Sequence, residues 1–567
     1  MGLVADKSDE ICETEVKRLA QDTRMGKAVF NEKIWEKEIV LILGLVFLCL
    51  LLFFFQLGAR PIWDIDEGMH ASTSKDMVLS GDWVTPTFNG KNFYDKPILH
   101  NWFVALSFLV FGFTEFAARL PAAILGLGCV MATYLLGRRM SGPKTGFLSA
   151  VILATNGEFI ILSRTVVHDI SLAFFVTLTL FSFYMGFKNE KHRRRYILLC
   201  YVSSGFAVLA KGPLGVLLPA LIIGLFLLLE GKLHFLREMV TGWGILIFFA
   251  ITAPWYILIS LSNKDYAGYF FIDQNLMRFL SPKAQHHGPF YYYFPVLLGG
   301  FFPWSCFLPL ALYHPLRGGF RKLDEGTVFL MVWFVIVFVF FTLASSKLST
   351  YILPLFPAVS LLVGLLWRDL LETPTLELRK ESLYPLGLCL VFFLLALLYV
   401  RVNPPIRYES EYGVALNDVT TVCILIAGAV ALSFFLHLNK NSKASFFTLT
   451  GMVIVVIYFT ILVIIPSVDP YRSTKGFAQK LDRRVDPEEK LVFYRRLRDS
   501  ALFYTDRKAI VLFTPQQLIN YLDSDKRVYC VINRNYFKEI KELENRAHVI
   551  DHEGNKLMIS NQKEPGP

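Results

Sequence analysis

The chain has 567 residues, of which 54% are hydrophobic, 15% aromatic and only 18% charged. A water-soluble fold of this length needs more polar surface to cover its core, so the composition excludes an ordinary soluble globule and places the chain in a bilayer. The formal net charge of +10 is accounted for by basic residues in short loops and, to a lesser extent, in the tail, which argues against a nucleic-acid-binding role.

Residues 1–37 are charged and lack a signal-peptide profile, and the apolar run after them is too long for a signal h-region, so it is read as a retained first helix. The opening Met-Gly lacks Ser or Thr at position 6, leaving the myristoylation pattern incomplete. Thirteen apolar runs of bilayer-crossing length follow, at 39–57, 116–136, 144–162, 169–187, 196–210, 213–229, 243–261, 291–313, 327–344, 351–367, 384–400, 419–437 and 446–465. Residues 98–113 are apolar but interrupted by His100 and Asn101, and we expect them to lie along the interface with Trp102 at headgroup depth. Basic residues in short loops resist translocation. With a cytoplasmic N-terminus, Arg138, Arg139, Lys144, Lys188, Lys191, Arg193, Arg194, Arg195, Arg317, Arg321 and Lys322 all fall inside. The first loop (58–115), the fourth outer loop (262–290) and the tail (466–567) then lie outside, with 38–465 as the membrane domain.

The tail alternates helix-like and strand-like stretches at 474–481, 491–494, 515–522, 527–532 and 536–543, followed by two short strands ending at 556–560, the pattern of a small α/β domain. No glycine-rich phosphate loop opens any of its helices, so it carries no assigned chemistry. The eight cysteines are scattered singly and form neither a disulfide framework nor a CxxC metal site.

Three charge clusters collect at the outer face. Asp64, Asp66 and Glu67 follow the first span directly. A carboxylate so close to hydrocarbon is suited to activating an acceptor hydroxyl or holding a metal, the alternative being that Asp66 caps a helix over 68–79. Arg164, His168 and Asp169 lie in the link before the fourth span, where Asp169 has the same alternative as an N-cap. Lys211, Arg278, His286, His287 and Lys347 form a set of cations suited to a lipid phosphate, each alternatively a snorkelling residue at a helix end.

Taken in order, Asp66-Glu67, Ser80-Gly81-Asp82-Trp83, Tyr94-Asp95-Lys96-Pro97, Ala117-Ala118-Arg119-Leu120-Pro121, His168-Asp169, Ala210-Lys211-Gly212-Pro213, Arg278-Phe279, Ala284-Gln285-His286 and Lys347-Leu348-Ser349-Thr350-Tyr351 carry a resemblance. Over about residues 60–357 the chain resembles the aminoarabinose transferase and protein mannosyltransferase superfamily. The resemblance implies a polytopic α-helical membrane protein of GT-C fold, with thirteen transmembrane helices and a small α/β C-terminal periplasmic domain. It also implies inverting transfer of a sugar from a polyprenyl (dolichyl or undecaprenyl) phosphate donor to lipid A, another envelope glycan or protein.

Carried over by position, Asp66 and Asp169 are the implied catalytic carboxylates, and Lys96, Arg278 and Tyr351 the implied carrier-phosphate contacts. Lys211 is expected to line the same cavity, and Glu67, Asp95, His286 and Lys347 are further candidates for binding substrate or carrier. Two positions depart from the aminoarabinose transferase pattern: Asp95 replaces a usual Glu and Asn275 a metal-binding His. A divalent metal at Asp95 therefore remains an option rather than an expectation, since Asn is a poor zinc ligand. The resemblance and the absence of any Asn-x-Ser/Thr sequon favour a bacterial inner membrane. The competing readings are a lipid or glycolipid flippase, which should place ionisable residues near the bilayer midplane in repeated halves, and a membrane scaffold, which leaves the first-loop carboxylates unexplained.

Overall fold

A computed structural model describes residues 38–280, 286–402, 413–486 and 489–563. The charged segment 1–37, and Ala284 and Gln285 of the sequence motif, lie outside the described residues. All thirteen apolar runs are helical. Among the described residues eight helices are long and apolar enough to cross a bilayer, and a bent pair, Tyr293–Gly300 with Trp304–Leu316, makes a ninth. The other four runs are carried by the shorter helices Glu38–Phe54, Pro143–Ala154 and Leu214–Leu229 and by Arg193–Lys211, which opens on charged residues. The 98–113 segment forms the helix Leu99–Phe111.

Where helices depart from the expected continuous runs, local chemistry gives the reason. The 291–313 run bends by 117° at Pro303, which has no N–H to donate, and next to Gly300, where any side chain would meet the Glu158 carboxylate. The 144–162 run breaks at Asn156, whose side chain accepts from the Phe159 N–H at 3.0 Å and starts a new helix, Gly157–Leu162.

The tail folds into a five-stranded sheet ordered β4-β3-β5-β7-β6. Its strands are β3 (Leu491–Tyr494), β4 (Ala509–Leu512), β5 (Tyr529–Asn533), β6 (His548–Glu553) and β7 (Lys556–Ser560), while β1 (Thr87–Phe88) and β2 (Lys91–Asn92) form a hairpin in the first loop. The β3, β4 and β5 strands run parallel and the β7 and β6 edge antiparallel. Apolar side chains cover both sheet faces, Phe477, Leu481 and Phe493 on one and Leu518, Leu522 and Ile532 on the other.

The first loop is held from two directions. Asn89, at the Asn-Gly turn of the β1–β2 hairpin, exchanges two hydrogen bonds with the Ala509 backbone, at 3.0 and 2.8 Å. Lys75 donates to the Phe503 carbonyl at 2.9 Å. Phe503 packs with Ala71, Val104 and Phe108, so an apolar contact backs these polar ones. On the other side, Asn263 accepts from Tyr94 Oη at 2.5 Å and donates to Thr85 at 3.3 Å, which ties the first loop to the 262–290 loop.

Candidate active site

The site forms where helix ends meet. Asp66 is the first residue of the helix Asp66–Ser80, whose N-cap position is taken by Ile65. Asp169 likewise opens the helix Asp169–Lys188, with His168 at the N-cap position. Its carboxylate instead forms an ion pair with Lys211, the last residue of the helix Arg193–Lys211. The pairing is favourable twice over, because helix N-termini attract anions and C-termini attract cations. Gly212, at φ 77°, ends the Lys211 helix and passes so close to the Phe270 ring that a Cβ would lie 2.8 Å away. The Lys211 ammonium sits 4.4 Å from the Tyr351 ring centroid.

These groups line a polar cavity of about 170 Å³ together with Asp95, Lys96, Arg278 and His286. An adjoining groove of about 360 Å³ shares Asp95, Lys96, Lys211, Arg278 and Tyr351 and is otherwise mostly apolar, with Leu214, Leu217, Phe270, Phe271, Phe340 and Phe341 in its walls. Lys96 is half-buried. Burial and the charges of Lys211 and Arg278 push its ammonium down to about 8, against the opposing pull of Asp169 and Asp95. Asp66 is shifted the other way. Desolvation and the Asp169 charge raise its carboxyl above the ordinary value, while Lys96 and His286 moderate the rise.

Of the candidates read from the sequence, Asp66, Asp95, Lys96, Asp169, Lys211, Arg278, His286 and Tyr351 all converge on the cavity. Two do not line it. Glu67 is buried and takes two hydrogen bonds from Arg119, at 2.8 and 2.9 Å, and one from the Trp63 N–H at 3.0 Å. Lys347 donates to the carbonyls of Thr342 and Ala344, at 2.6 and 2.7 Å, closing the end of the helix Glu325–Leu343. Arg164 is used in the same way, on the carbonyls of Leu52 and Phe55 at 2.9 and 2.8 Å.

Sequence reasoning passed over His70, which lines the cavity one helical turn beyond Asp66; that i,i+4 spacing was the available signal. Its ring stacks edge-on against His168 at 4.3 Å, and burial pushes it down to about 3, so it is neutral.

The donor set suits a resident metal poorly. Asp95 accepts a hydrogen bond from Tyr269 Oη at 2.7 Å, and the Asn275 amide donates to the Phe270 carbonyl at 2.7 Å. Among the described residues no three His, Cys, Asp or Glu side chains are grouped to hold an ion.

A helical scaffold with membrane-length spans, a C-terminal α/β domain and a polar cavity opening onto an apolar groove make up a membrane glycosyltransferase of the GT-C fold. Residues 95–258 match the family described as dolichyl-phosphate-mannose-protein mannosyltransferase. An Aquifex aeolicus protein is 30% identical over 81% of this chain and 86% of its own length. The undecaprenyl phosphate-alpha-4-amino-4-deoxy-L-arabinose arabinosyl transferase of Aeromonas salmonicida is 30% identical over 70% of this chain and 72% of its own length. The fold matches that of ArnT from Cupriavidus metallidurans, solved bound to undecaprenyl phosphate, with a TM-score of 0.78 at 22% identity over 93% of this chain and 99% of that one. The chain belongs to the aminoarabinose transferase family of membrane glycosyltransferases.

Proposed function

We propose that this enzyme takes a sugar from an undecaprenyl-phosphate carrier and transfers it, with inversion, to an envelope acceptor: lipid A, another glycan or a protein. The reading is carried by one observation. The residues shared by the two cavities, Asp95, Lys96, Lys211, Arg278 and Tyr351, carry three cations against one carboxylate and join a polar chamber holding Asp66 and Asp169 to an apolar groove. An amphiphile with a charged junction between sugar and hydrocarbon fits that junction, its isoprenoid along the groove and its phosphate beside the cations.

In the reaction an acceptor oxygen attacks the anomeric carbon as the bond from that carbon to the carrier phosphate breaks, and the phosphate leaves with the electron pair. The cations Lys96, Lys211 and Arg278 offset the charge that grows on the leaving phosphate. With a hydroxyl acceptor Asp66 takes the proton; with a phosphate acceptor, already ionised, it orients the acceptor or stabilises the cationic sugar. A carrier phosphate leaves readily, so no separate general acid is required. The likeness to bacterial arabinosyl transferases supports a bacterial inner membrane, and the basic loops favour a cytoplasmic N-terminus with the site and tail periplasmic. Nothing in the cavity geometry favours a flippase.

The test is transfer of radiolabelled sugar from a panel of undecaprenyl-phosphate sugars to an envelope-lipid extract, comparing wild type with Asp66→Asn at matched expression and thermal stability. Transfer by wild type that the variant loses is expected. Equal transfer by both removes Asp66 from the chemistry, and none by either across the panel overturns the donor assignment.

A further inference from the structure

Asp66 is the middle member of three closely spaced carboxylates, and the outer two are tied down by different parts of the chain. Glu67 is held by Arg119 of the membrane domain. Asp64 is held almost entirely by residues that follow the last span. Its Oδ1 accepts from the Ser500 N–H at 2.9 Å and the Ser500 hydroxyl at 2.6 Å. Its Oδ2 accepts from the Thr474 hydroxyl at 3.1 Å and lies 3.7 Å from Arg498. The Asp64 N–H donates to the Arg472 carbonyl at 2.7 Å.

Between the Asp64 anchor and Asp66 stands Ile65, at φ 79° and ψ −94°. A β-branched residue at positive φ is a costly outlier that persists only where its surroundings impose it. Packing does not impose it here, because the Ile65 side chain is 43% exposed. The restraint comes from the flanks: the Asp64 contacts on one side and, on the other, the Gly68 N–H to Trp63 and Met69 N–H to Ile65 bonds, at 3.0 and 2.9 Å. Gly68 itself lies against the helix Asp499–Tyr504 so closely that a Cβ would come within 2.6 Å of the Ser500 nitrogen.

We propose that the C-terminal domain is a positioning device for the reaction: Ser500, Thr474 and Arg498 clamp Asp64, and the clamp holds the strained Ile65 turn that directs Asp66 into the sugar cavity. The inference rests on the catalytic role given to Asp66 above. It assigns the tail, which carries no chemistry of its own, a direct hold on the reacting geometry, and it makes Asp64 and Ser500 positioning residues that touch no substrate.

The test uses the full-length protein in lipid nanodiscs, with the undecaprenyl-phosphate sugar that the panel assay identifies as donor, and compares wild type with Asp64→Asn, Ser500→Ala, Asp66→Asn and the double variant Asp64→Asn/Ile65→Gly. A displacement of about 1 Å at a reacting group can cost about 100-fold in rate, so Asp64→Asn is expected to lower kcat by about 30-fold or more, with the donor KM changed less than about threefold. Ser500→Ala keeps the backbone donor and the Arg498 partner and is expected to lose about fivefold, which keeps the test alive if Asp64→Asn folds poorly. Glycine adopts positive φ without penalty, so Ile65→Gly is expected to restore at least about fivefold to Asp64→Asn, a rescue that a purely docking role for Asp64 does not predict. Amide hydrogen exchange over residues 62–69 should rise in Asp64→Asn whether or not a donor has been found. Unchanged exchange, wild-type kcat in both single clamp variants, or no rescue by glycine overturns the clamp. Loss of transfer in Asp66→Asn alongside full activity in the clamp variants overturns the clamp alone, whereas activity retained in Asp66→Asn overturns both the clamp and the catalytic reading.

Discussion

Arg119 and Glu67 form a bidentate ion pair with no exposure to solvent worth the name, Nε to Oε1 at 2.8 Å and Nη2 to Oε2 at 2.9 Å. The remaining Arg119 donors reach the carbonyls of Leu57, Arg60 and Pro61 at 2.7 to 3.1 Å, so the guanidinium joins the end of the first span to the start of the Asp66 helix. Burial alone would raise the Glu67 carboxyl, but the charges of Arg119 and Arg60 overcome it and hold the group at about 2.

Removing one partner leaves the other charged and dry. Glu67→Gln and Arg119→Met are each expected to cost about 3–5 kcal/mol of stability, read as a fall in thermal midpoint of the purified protein. Because the folded-state value is depressed below the ordinary 4.5, the stabilisation is complete above pH 4.5 and fades as pH falls towards 2. Wild type should lose midpoint through that window, and Glu67→Gln should be flatter across it.

Lys211 and Lys347 both stand at helix ends, yet only Lys211 lines the cavity. Lys211→Met leaves Asp169 without its cation and is expected to lower kcat by about 100-fold. Lys347→Met leaves carbonyl groups unpaired and is expected to cost about 1–3 kcal/mol of stability, with donor KM unchanged in the molecules that remain folded. Steady-state kinetics and thermal unfolding on the two variants separate these outcomes, and a raised donor KM in Lys347→Met would return Lys347 to the phosphate contacts.

The pH dependence should carry the mark of Lys96, held at about 8. Its ammonium is charged below that pH and neutral above it, so kcat/KM for a phosphate-linked donor is expected to fall as pH rises through about 8. Guanidinium stays protonated throughout. In Lys96→Arg the alkaline fall should therefore move upward, even if the absolute rate is lower; a fall that stays in place assigns that limb to another group.

The groove should discriminate by chain length. Leu217 is 40% exposed and forms part of its wall. Leu217→Trp narrows the apolar path without touching the polar cavity, and it is expected to raise KM for the full-length carrier by about tenfold, the scale of a misfitted apolar pocket. A short-chain donor analogue should be unaffected. Equal effects on both donors would place the isoprenoid elsewhere.

The helical runs were legible because crossing a bilayer demands about 20 consecutive apolar residues, a signal that needs no tertiary knowledge. The α/β character of the tail was equally legible, and the 491–494 strand and the 515–522 helix fall where alternation predicted them. The helix Asp499–Tyr504 and strand β4 were missed. Both are short, and the helix is stabilised by docking on the Asp66 helix through Phe503 and by the Ser500 bond to the distant Asp64 rather than by a capping side chain of its own. The β1–β2 hairpin was also missed, although Asn89-Gly90, both at positive φ, is the dipeptide that a tight hairpin turn favours.

By itself the sequence determined that this protein lives in a bilayer, that its charges gather near the ends of apolar runs and that a small α/β unit follows the last span, because hydropathy and period are properties of neighbours along the chain. Only the tertiary structure decided which charges do what. Glu67, Lys211 and Lys347 look alike as ionisable residues near helix ends. One is neutralised by an arginine 52 residues away, one meets an aspartate 42 residues away, and one closes the helix it follows. A charge buried at such depth takes its role from the partner that folding brings to it, since an unpaired charge there is too costly to keep.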